Sequence, residues 1–362
     1  MHKRFFVTFV LIGSALILLG SGCLSLGGGS VSKTSGPAGI FLSVNKGNTW
    51  KSISLFPTIS GVKSLSGVSV YNLIQDPQTP STLYWFSRRH GLFFTIDAGR
   101  SWQHAPAPLN TGFIYSVIVH PQDSCTIYVT NGSQIYKSVD CARSWNSVFQ
   151  ELRPGIKIVS LTFNPNPPYQ IFAAEDNGDI LQTVDLGQSW SVLYRLRITI
   201  ARIQADPLQQ HVFYVASRSS GLYRSINDGR TWTSLAKTMK DYPKALNYRR
   251  MYLHPKKPGV IYWISTYGLM VSTDSGNTLN PINLITPPGS ANIYAFAINP
   301  RNDNEMYYTA TINNHSNMYR SVDGGVTWNT KALPSGQIPT FLWVHPKNGN
   351  LVYLGFTIPS GQ

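Results

Sequence analysis

The residues that first suggest chemistry form an acidic run, Glu175-Asp176-Asn177-Gly178-Asp179. Paired carboxylates serve as acid and base in inverting glycosidases, and they also ligate Ca²⁺. An Asn-Gly pair is equally typical of a tight β-hairpin turn, which explains the same residues more simply. We therefore expect a hairpin turn here and no metal site, with hydrolysis and calcium binding as minor alternatives.

Basic residues are the second candidate for chemistry. The chain has 30 Lys and Arg against 16 Asp and Glu, a formal net charge of +14. Arginine offers paired, planar donors that suit carboxylates and phosphates. A charge of this size predicts acidic partners, namely acidic protein surfaces, anionic lipid headgroups or acidic glycans.

The elements that position these residues follow from an octapeptide that occurs seven times, at residues 43–50, 95–102, 138–145, 183–190, 225–232, 272–279 and 321–328. Its pattern is Ser/Thr-x-Asp/Asn-x-Gly-x-Ser/Thr-Trp, with Ala142 replacing one Gly and Leu279 replacing one Trp. The third side chain accepts backbone N–H groups in a tight turn, and Gly permits positive φ. The third positions are therefore predicted to be structural: Asn45, Asp97, Asp140, Asp185, Asn227, Asp274 and Asp323.

A second repeated signal lies between the octapeptides. An apolar run ends in Asp, His or Asn followed by Pro, at residues 76–77, 120–121, 164–165, 206–207, 254–255, 299–300 and 345–346. Two more β runs separate this turn from the next octapeptide. Each repeat of 42 to 52 residues thus predicts a blade of four strands, A to D, as in a β-propeller. His120, His254 and His345 occupy equivalent turns on different blades, so we interpret them as turn residues rather than metal ligands.

The predicted fold class is an all-β, seven-bladed propeller of four-stranded antiparallel blades over residues 39–357, with a short tail at 358–362. The chain begins with a C–D half-blade and ends with an A–B half-blade. Pairing of these halves would complete the last blade and close the ring without a free sheet edge.

The N-terminus has the features of a targeting segment. Residues 1–22 combine a basic start with an apolar run, and small residues precede Cys23 in the manner of a bacterial lipobox. We expect export, acylation of Cys23 and a Gly/Ser-rich tether over residues 23–38, which places the protein on the outside of a cell membrane. An ordinary cleaved secretory signal is the alternative.

In a propeller the A–B turns and C–D turns share one face, and the B–C and D–A loops share the other, here called the loop face. Basic and aromatic residues predicted on the loop face form the candidate partner-binding set: Arg88, Arg89, His90, Arg195, Arg197, Arg218, Lys240, Tyr242, Lys244, Arg249, Arg250 and Tyr267. The longest D–A loop is predicted over residues 237–250. Solvated loop charge without a partner is the alternative interpretation.

The repeated octapeptide, with its Asp-Pro and Gly-Leu-Tyr-Arg-Ser cadence, resembles the Asp-box propeller superfamily over nearly all of residues 39–357. In size, blade number and export the chain resembles the photosystem II stability/assembly factor-like group, and more distantly the xyloglucanase-type and sialidase propellers. Sialidases carry an Arg-Ile-Pro motif, whereas the nearest trace here is Arg202-Ile203-Gln204. The resemblance implies a protein-binding propeller without catalytic activity or cofactor.

Two cysteines follow the leader, Cys125 near the start of a B strand and Cys141 in the next box. With a two-residue turn at Asn131-Gly132, Thr130 would oppose Ser133, and both sulfurs would lie near the same rim. An exported protein can form such a disulfide.

Taken together, the sequence predicts a monomeric, lipid-anchored scaffold or assembly factor that binds an acidic protein, membrane complex or glycan but not nucleic acid. A glycan-binding or glycan-hydrolysing propeller is the alternative.

Overall fold

The structure is a computed structural model that describes residues 34–359. Cys23 and the predicted leader lie outside these residues. The described part of the chain contains 30 β-strands and one short 3-10 helix, Ala236–Met239. In chain order the strands are β1 (Gly39–Ser43), β2 (Lys51–Ser52), β3 (Leu55–Thr58), β4 (Gly61–Ser64), β5 (Asn72–Gln75), β6 (Leu83–Phe86), β7 (Leu92–Thr95), β8 (Gln103–His104), β9 (Ser116–His120), β10 (Asp123–Thr130), β11 (Gln134–Ser138), β12 (Asn146–Gln150), β13 (Ile158–Phe163), β14 (Ile171–Glu175), β15 (Asp179–Thr183), β16 (Ser191–Arg195), β17 (Ile200–Ala205), β18 (Phe213–Ser217), β19 (Leu222–Ser225), β20 (Thr233–Ser234), β21 (Tyr248–Leu253), β22 (Ile261–Ser265), β23 (Leu269–Ser272), β24 (Asn280–Pro281), β25 (Asn292–Asn299), β26 (Asn302–Ile312), β27 (His315–Ser321), β28 (Asn329–Lys331), β29 (Ile338–Val344) and β30 (Val352–Thr357).

These strands form seven four-stranded antiparallel sheets, the blades of the propeller, and one separate hairpin, β3–β4. Blades 1 to 6 each take four consecutive strands, beginning with β5, β9, β13, β17, β21 and β25. The first strand of each blade, strand A, faces the central channel, and the fourth, strand D, lies farthest from it. The predicted fold class is confirmed.

The seventh blade closes the ring with strands from both ends of the chain. Its order is β2-β1-β30-β29, and β1 pairs antiparallel with β30 from Gly39 opposite Phe356 to Ser43 opposite Val352. The predicted closure is therefore present. It joins the two ends of the propeller by five residue pairs, so no strand edge is left open at the seam.

The Asp-boxes form the C–D turns, and all of them use the same hydrogen bonds. In the second box the Thr95 hydroxyl donates to Asp97 Oδ1 at 2.6 Å and accepts from the N–H of Gly99 at 3.1 Å. Asp97 in turn accepts from the amide and hydroxyl of Ser101, at 3.0 and 2.7 Å. Where Asn replaces Asp, the amide reverses the last bond, and Asn45 Nδ2 donates to Thr49 Oγ1 at 2.9 Å.

The backbone of the box requires positive φ at two consecutive residues. The fourth position has φ between 55° and 74° and the fifth between 69° and 90° in the seven boxes. Ala142 is the fifth residue of the third box, with φ 69°. An L-residue in this region carries a strain of roughly 1 kcal/mol, which a glycine at the same position would avoid.

The box glycine also brings neighbouring blades together. A Cβ atom at Gly99 would lie 2.8 Å from Ile53 of the preceding blade, and one at Gly276 would lie 2.5 Å from Leu235 of its own preceding blade. The closing Trp102 is fully buried and donates from Nε1 to the carbonyl of Ile53. The box is therefore a joint between blades as well as a turn within one.

The Pro-containing A–B turns are closed by the side chain before the proline. Asp76 Oδ1 accepts from the N–H groups of Gln78 and Thr79, and His254 Nδ1 accepts from those of Lys256 and Lys257, at 2.8 to 3.0 Å. Imidazole nitrogen thus replaces carboxylate oxygen in the same turn. His254 acts as a turn residue, as expected.

The strand register around the two cysteines differs from the prediction. Thr130 pairs with Ile135 rather than Ser133, because the turn spans four residues and Asn131 Oδ1 accepts from the N–H groups of Ser133 and Gln134. The change brings Cys125 closer to Cys141 than the predicted register did. The structure joins the two in a disulfide, with Cα atoms 3.8 Å apart.

Box carboxylates are expected to make the fold sensitive to acid. Hydrogen bonds from Ser144 lower the pKa of Asp140 to about 2, those from Thr327 lower the pKa of Asp323 to about 2, and those from Ser189 hold the pKa of Asp185 well below its usual range. A carboxyl whose pKa is lower in the folded state stabilises the fold above its unfolded pKa, near 4, and the contribution is lost as pH falls through the folded pKa.

We therefore expect the melting temperature to drop between about pH 4 and pH 2, and the triple variant Asp140→Asn, Asp185→Asn, Asp323→Asn to have a flatter profile in that window. Asn is already present in two boxes, so the turns should still form. Asp241→Asn, an exposed change outside the boxes, is the control. Thermal unfolding followed by circular dichroism gives the measurement; a triple variant with the wild-type acid profile would contradict this role of the boxes.

Candidate functional site

The candidate site is the central channel. It has a volume of about 1280 Å³ and runs between the A strands from the loop face to the face of the Pro turns. Its deep wall is built from A-strand residues such as Val117, Leu161 and Ile203. The opening on the loop face is different, because basic and aromatic side chains surround it.

Six arginines and one histidine line this channel: Arg88, Arg89, His90, Arg202, Arg218, Arg249 and Arg250. We call them the arginine mouth. They come from blades 1, 4 and 5, so ring closure is what assembles them. Six of the twelve predicted partner-binding residues belong to it, and Arg202 was not among the twelve.

The positive charge of the arginine mouth is not balanced locally. No Asp or Glu lines the channel, and within residues 34–359 none of its six arginines forms an ion pair. The hydrogen bonds of three of them go to neutral groups, for example from Arg249 Nη2 to Asn292 Oδ1 at 2.9 Å. Clustered like charges repel, so this arrangement favours an anionic ligand at the mouth.

Aromatic rings hold several of the guanidinium groups in place. Arg88 lies over the rings of Tyr71 and Phe113, 5.2 and 5.3 Å from their centroids, and Arg249 lies 5.3 Å from the centroid of Tyr294. Such cation–π contacts orient a guanidinium without neutralising it. Its N–H groups stay available to an incoming carboxylate.

Two tyrosines add neutral polar groups to the channel. Burial raises the pKa of Tyr115, and burial also raises the pKa of Tyr248 although Arg202 and Arg250 oppose this. Both phenols therefore keep their protons at neutral pH. They can donate to or accept from a ligand but add no negative charge.

Arg250 has a different role from its neighbours. Its guanidinium reaches across the channel to three backbone carbonyls, those of Tyr71 at 3.2 Å, Thr340 at 3.3 Å and Tyr294 at 3.4 Å. These carbonyls belong to the A-strand regions of blades 1, 7 and 6, so one side chain of blade 5 contacts three other blades.

The predicted position of Arg249 and Arg250 in a loop was wrong. Both lie in strand β21, and the predicted loop 237–250 contains the short helix Ala236–Met239 and ends before Tyr248. The start of this strand was not recognisable from the sequence, because its two arginines line the channel and so break the apolar pattern expected of a strand. Because Arg250 lies in a strand and contacts three other blades, changing it should affect stability.

The other six predicted residues lie outside the channel: Arg195, Arg197, Lys240, Tyr242, Lys244 and Tyr267. Arg195 approaches Asp179 to 3.5 Å. Tyr242 and Tyr267 pack together, with centroids 5.2 Å apart, against the core of blade 5. These six residues were predicted on the same face as the channel opening, but they do not line the channel.

The sequence analysis missed five channel residues, Tyr71, Phe113, Tyr115, Arg202 and Tyr294. A signal for four of them is present in the repeats. Tyr71, Tyr115 and Tyr294 stand five residues before the side chain that closes the A–B turn, as Arg249 does, and Arg202 stands four before it, as Arg250 does. Counting back from each Pro turn therefore finds the positions of strand A that face the mouth.

The acidic run forms a hairpin turn, as expected, and two of its three carboxylates, those of Glu175 and Asp179, are bound by arginine. Strand β14 ends at Glu175 and β15 begins at Asp179, with Gly178 at φ 103°. Arg153 pairs with buried Glu175, with Asp179 at 2.8 Å and with Glu151 at 2.8 Å. Burial raises the pKa of Glu175. In the described part of the chain no cluster of three or more His, Cys, Asp or Glu residues has the arrangement of a metal site.

Sequence comparison finds a distant enzyme relative and no family assignment. No model of a known protein family matches the chain. A xyloglucanase from Paenibacillus sp is 24% identical over 270 residues, which span 66% of this chain but 23% of the enzyme. The chain therefore covers about a quarter of the relative it matches.

Solved structures of two kinds of protein, a xyloglucanase and YCF48, resemble the propeller. The GH74 xyloglucanase from Xanthomonas campestris aligns with a TM-score of 0.65 and 16% identity, over 86% of this chain and 52% of the enzyme. YCF48 bound to D1 peptide aligns with a TM-score of 0.60 and 15% identity, over 82% of this chain and 94% of YCF48. The predicted resemblance to assembly-factor propellers and to xyloglucanase-type propellers is confirmed at the level of the fold.

No helix in residues 34–359 has the length and hydropathy needed to cross a membrane.

Arg250 is expected to stabilise the ring. Arg250→Met removes three charge-assisted hydrogen bonds to backbone carbonyls, and the long distances favour a modest loss, about 2 kcal/mol in the free energy of unfolding. Arg249→Met is the matched control, with an expected change within about 0.5 kcal/mol, because its partner Asn292 is exposed. Urea denaturation measures both; equal losses in the two variants would contradict the special role of Arg250.

Proposed function

We propose that this protein is an exported, lipid-anchored, monomeric propeller that catalyses no reaction and binds an acidic segment of a partner protein at the arginine mouth. Scaffolding or assisting the assembly of a membrane complex is the role that fits such binding. The proposal needs no cofactor and does not involve nucleic acid.

One observation carries the proposal: the channel is lined by six arginines and no acidic residue. An extended peptide with several carboxylates could bind the guanidinium groups other than that of Arg250, such as those of Arg88 and Arg249, where hydrogen bonds between charged groups are strong and directional. The aromatic rings of Phe113 and Tyr294 sit beside these donors and supply surfaces for apolar side chains of the same peptide.

The comparison with YCF48 supports a peptide as the ligand. That protein shares the fold over most of both chains, and its structure contains a bound D1 peptide. A propeller of this size can therefore use its surface to hold a peptide. The basic channel found here supplies the chemical reason for expecting an acidic one.

Glycan recognition is the second candidate, favoured by the likeness to xyloglucanases. A channel of about 1280 Å³ with tyrosines at its mouth has room for sugar rings. Hydrolysis is less well supported, since the channel lacks the pair of carboxylates that glycosidases use. The carboxylates of Glu175 and Asp179 lie elsewhere and contact Arg153.

Binding of a fluorescein-labelled octaglutamate peptide, followed by fluorescence anisotropy, tests the main proposal. We expect Arg88→Gln combined with Arg249→Gln to weaken binding by about tenfold or more, because each hydrogen bond to a charged group contributes roughly 1.5–3 kcal/mol. Affinity should also fall as salt rises, since exposed charges are screened over about 8 Å at physiological ionic strength.

Arg100→Gln combined with Arg230→Gln is the control, because both are exposed arginines on the opposite, Asp-box face. An octaglutamine peptide controls for the ligand. The proposal fails if the control variant loses as much affinity as the mouth variant, or if octaglutamine binds equally well. Release of reducing ends from xyloglucan that the mouth variant abolishes would favour the enzyme instead.

The anchor is tested separately in an exporting bacterial host. Cys23→Ala should move the protein from the membrane fraction to the soluble fraction and abolish labelling by an alkynyl fatty acid, because it removes the acylated thiol. Ser21→Ala, a change of similar size beside the cleavage site, should leave both unchanged. Wild-type membrane retention of the Cys23→Ala protein would remove lipidation from the proposal.

A further inference from the structure

The β3–β4 hairpin lies outside the seven blades, and the sequence repeats do not account for it. It is inserted between strand D of the closing blade and strand A of blade 1, and its strands pair from Leu55 opposite Ser64 to Thr58 opposite Gly61. Directly paired residues of antiparallel strands point to the same side. The hairpin therefore has one side with Leu55, Pro57 and Val62, and a second side with Phe56 and Lys63.

The two sides have different surroundings. Phe56 packs edge-on against Phe93 and His104 of blade 1, with centroids 5.9 and 6.2 Å apart. The other side has no such cover: Leu55 is 53% exposed, Val62 is 70% exposed, and Ile59 at the tip is fully exposed. Three exposed apolar residues on one side of a hairpin, with a fourth at its tip, form the kind of apolar surface that marks an interaction site.

The chain enters the propeller at the base of this hairpin. The N–H of Ala38 donates to the carbonyl of Ser66 at 2.7 Å, and a Cβ atom at Gly39 would lie 2.7 Å from the Ser54 hydroxyl. Strand β1 starts on the loop face, and β2 ends there before the hairpin begins. The first strand of the described chain therefore starts on the face that carries the arginine mouth, next to the base of the hairpin.

We propose that the outer side of the hairpin, Leu55, Pro57 and Val62 with Ile59 at its tip, inserts into the interface of the membrane to which the leader is anchored. The inference rests on the proposed lipid anchor. Ten residues lie between Cys23 and Thr34, so eleven steps of the chain span at most about 40 Å. An anchored propeller would therefore keep Thr34 within about 40 Å of the bilayer, a distance that allows the hairpin to reach it.

Charge and energetics agree with a lipid surface as the occupant. Within the hairpin, exposed Lys63 lies on the side of Phe56 and can contact anionic headgroups beside the inserted side. A short apolar surface binds membranes weakly by itself, whereas it adds a second attachment to a lipid chain.

The test measures the depth of the hairpin tip in vesicles. The full-length protein is expressed in an exporting host and reconstituted into phosphatidylcholine vesicles containing phosphatidylglycerol. Ser60→Cys, at the exposed tip, carries a nitroxide, and electron paramagnetic resonance compares its collisions with oxygen and with a water-soluble nickel complex. Ile226→Cys, on the opposite face and 67% exposed, is the matched label position.

We expect the ratio of oxygen to nickel collisions to be several-fold higher at Ser60→Cys than at Ile226→Cys, with the tip about 5–10 Å into the interface. Adding Leu55→Ser and Val62→Ser should move the tip label back toward water. A tip label as accessible to nickel as the control, on protein that remains in the vesicles, overturns the inference and leaves the peptide-binding proposal standing. Protein that does not stay with the vesicles overturns the anchor and this inference together, while peptide binding in solution is unaffected.

Discussion

Each Asp-box must hold two consecutive residues in the left-handed region of backbone space, and the arrangement of the blades depends on that turn. The Ser or Thr hydroxyl and the Asp or Asn side chain close it in all seven boxes, and Gly is the fifth residue in six of them, with Ala142 in the third. Because the Gly lacks a Cβ atom, the preceding blade can approach, as Ile53 does at Gly99. Repeated seven times, the same joint fixes the angle between blades and closes β1 onto β30.

Ring closure brings together charges that are far apart in the sequence. The arginine mouth draws Arg88 from blade 1, Arg218 from blade 4 and Arg249 from blade 5 into one opening. Their mutual repulsion destabilises the empty site, and the rigid boxes and the carbonyl contacts of Arg250 oppose it. The guanidinium groups are thus held in place before any ligand binds, which lowers the entropic cost of binding an anion.

The repeats made the fold predictable, but they did not determine where each loop side chain points. Box and Pro turns define every blade, so blade number and closure could be read directly. Register near Cys125 was missed because a four-residue turn replaced a two-residue one. The start of strand β21 was assigned to a loop because Arg249 and Arg250 interrupt its apolar pattern, and the β3–β4 hairpin was missed because Pro57 is unusual in a strand. Half of the predicted binding set lies outside the channel, since loop charges spread over a wide face.

If the partner contacts the arginine mouth, photo-crosslinking in intact cells will show the contact. A benzophenone amino acid replaces Phe113 at the mouth or, as the control, exposed Ile226 on the Asp-box face, and crosslinked peptides are identified by mass spectrometry. We expect the mouth position to capture an acidic segment of a protein of the cell envelope and the control position to capture none. Capture of the same partner from the Asp-box face, with none from the mouth, would contradict contact at the arginine mouth.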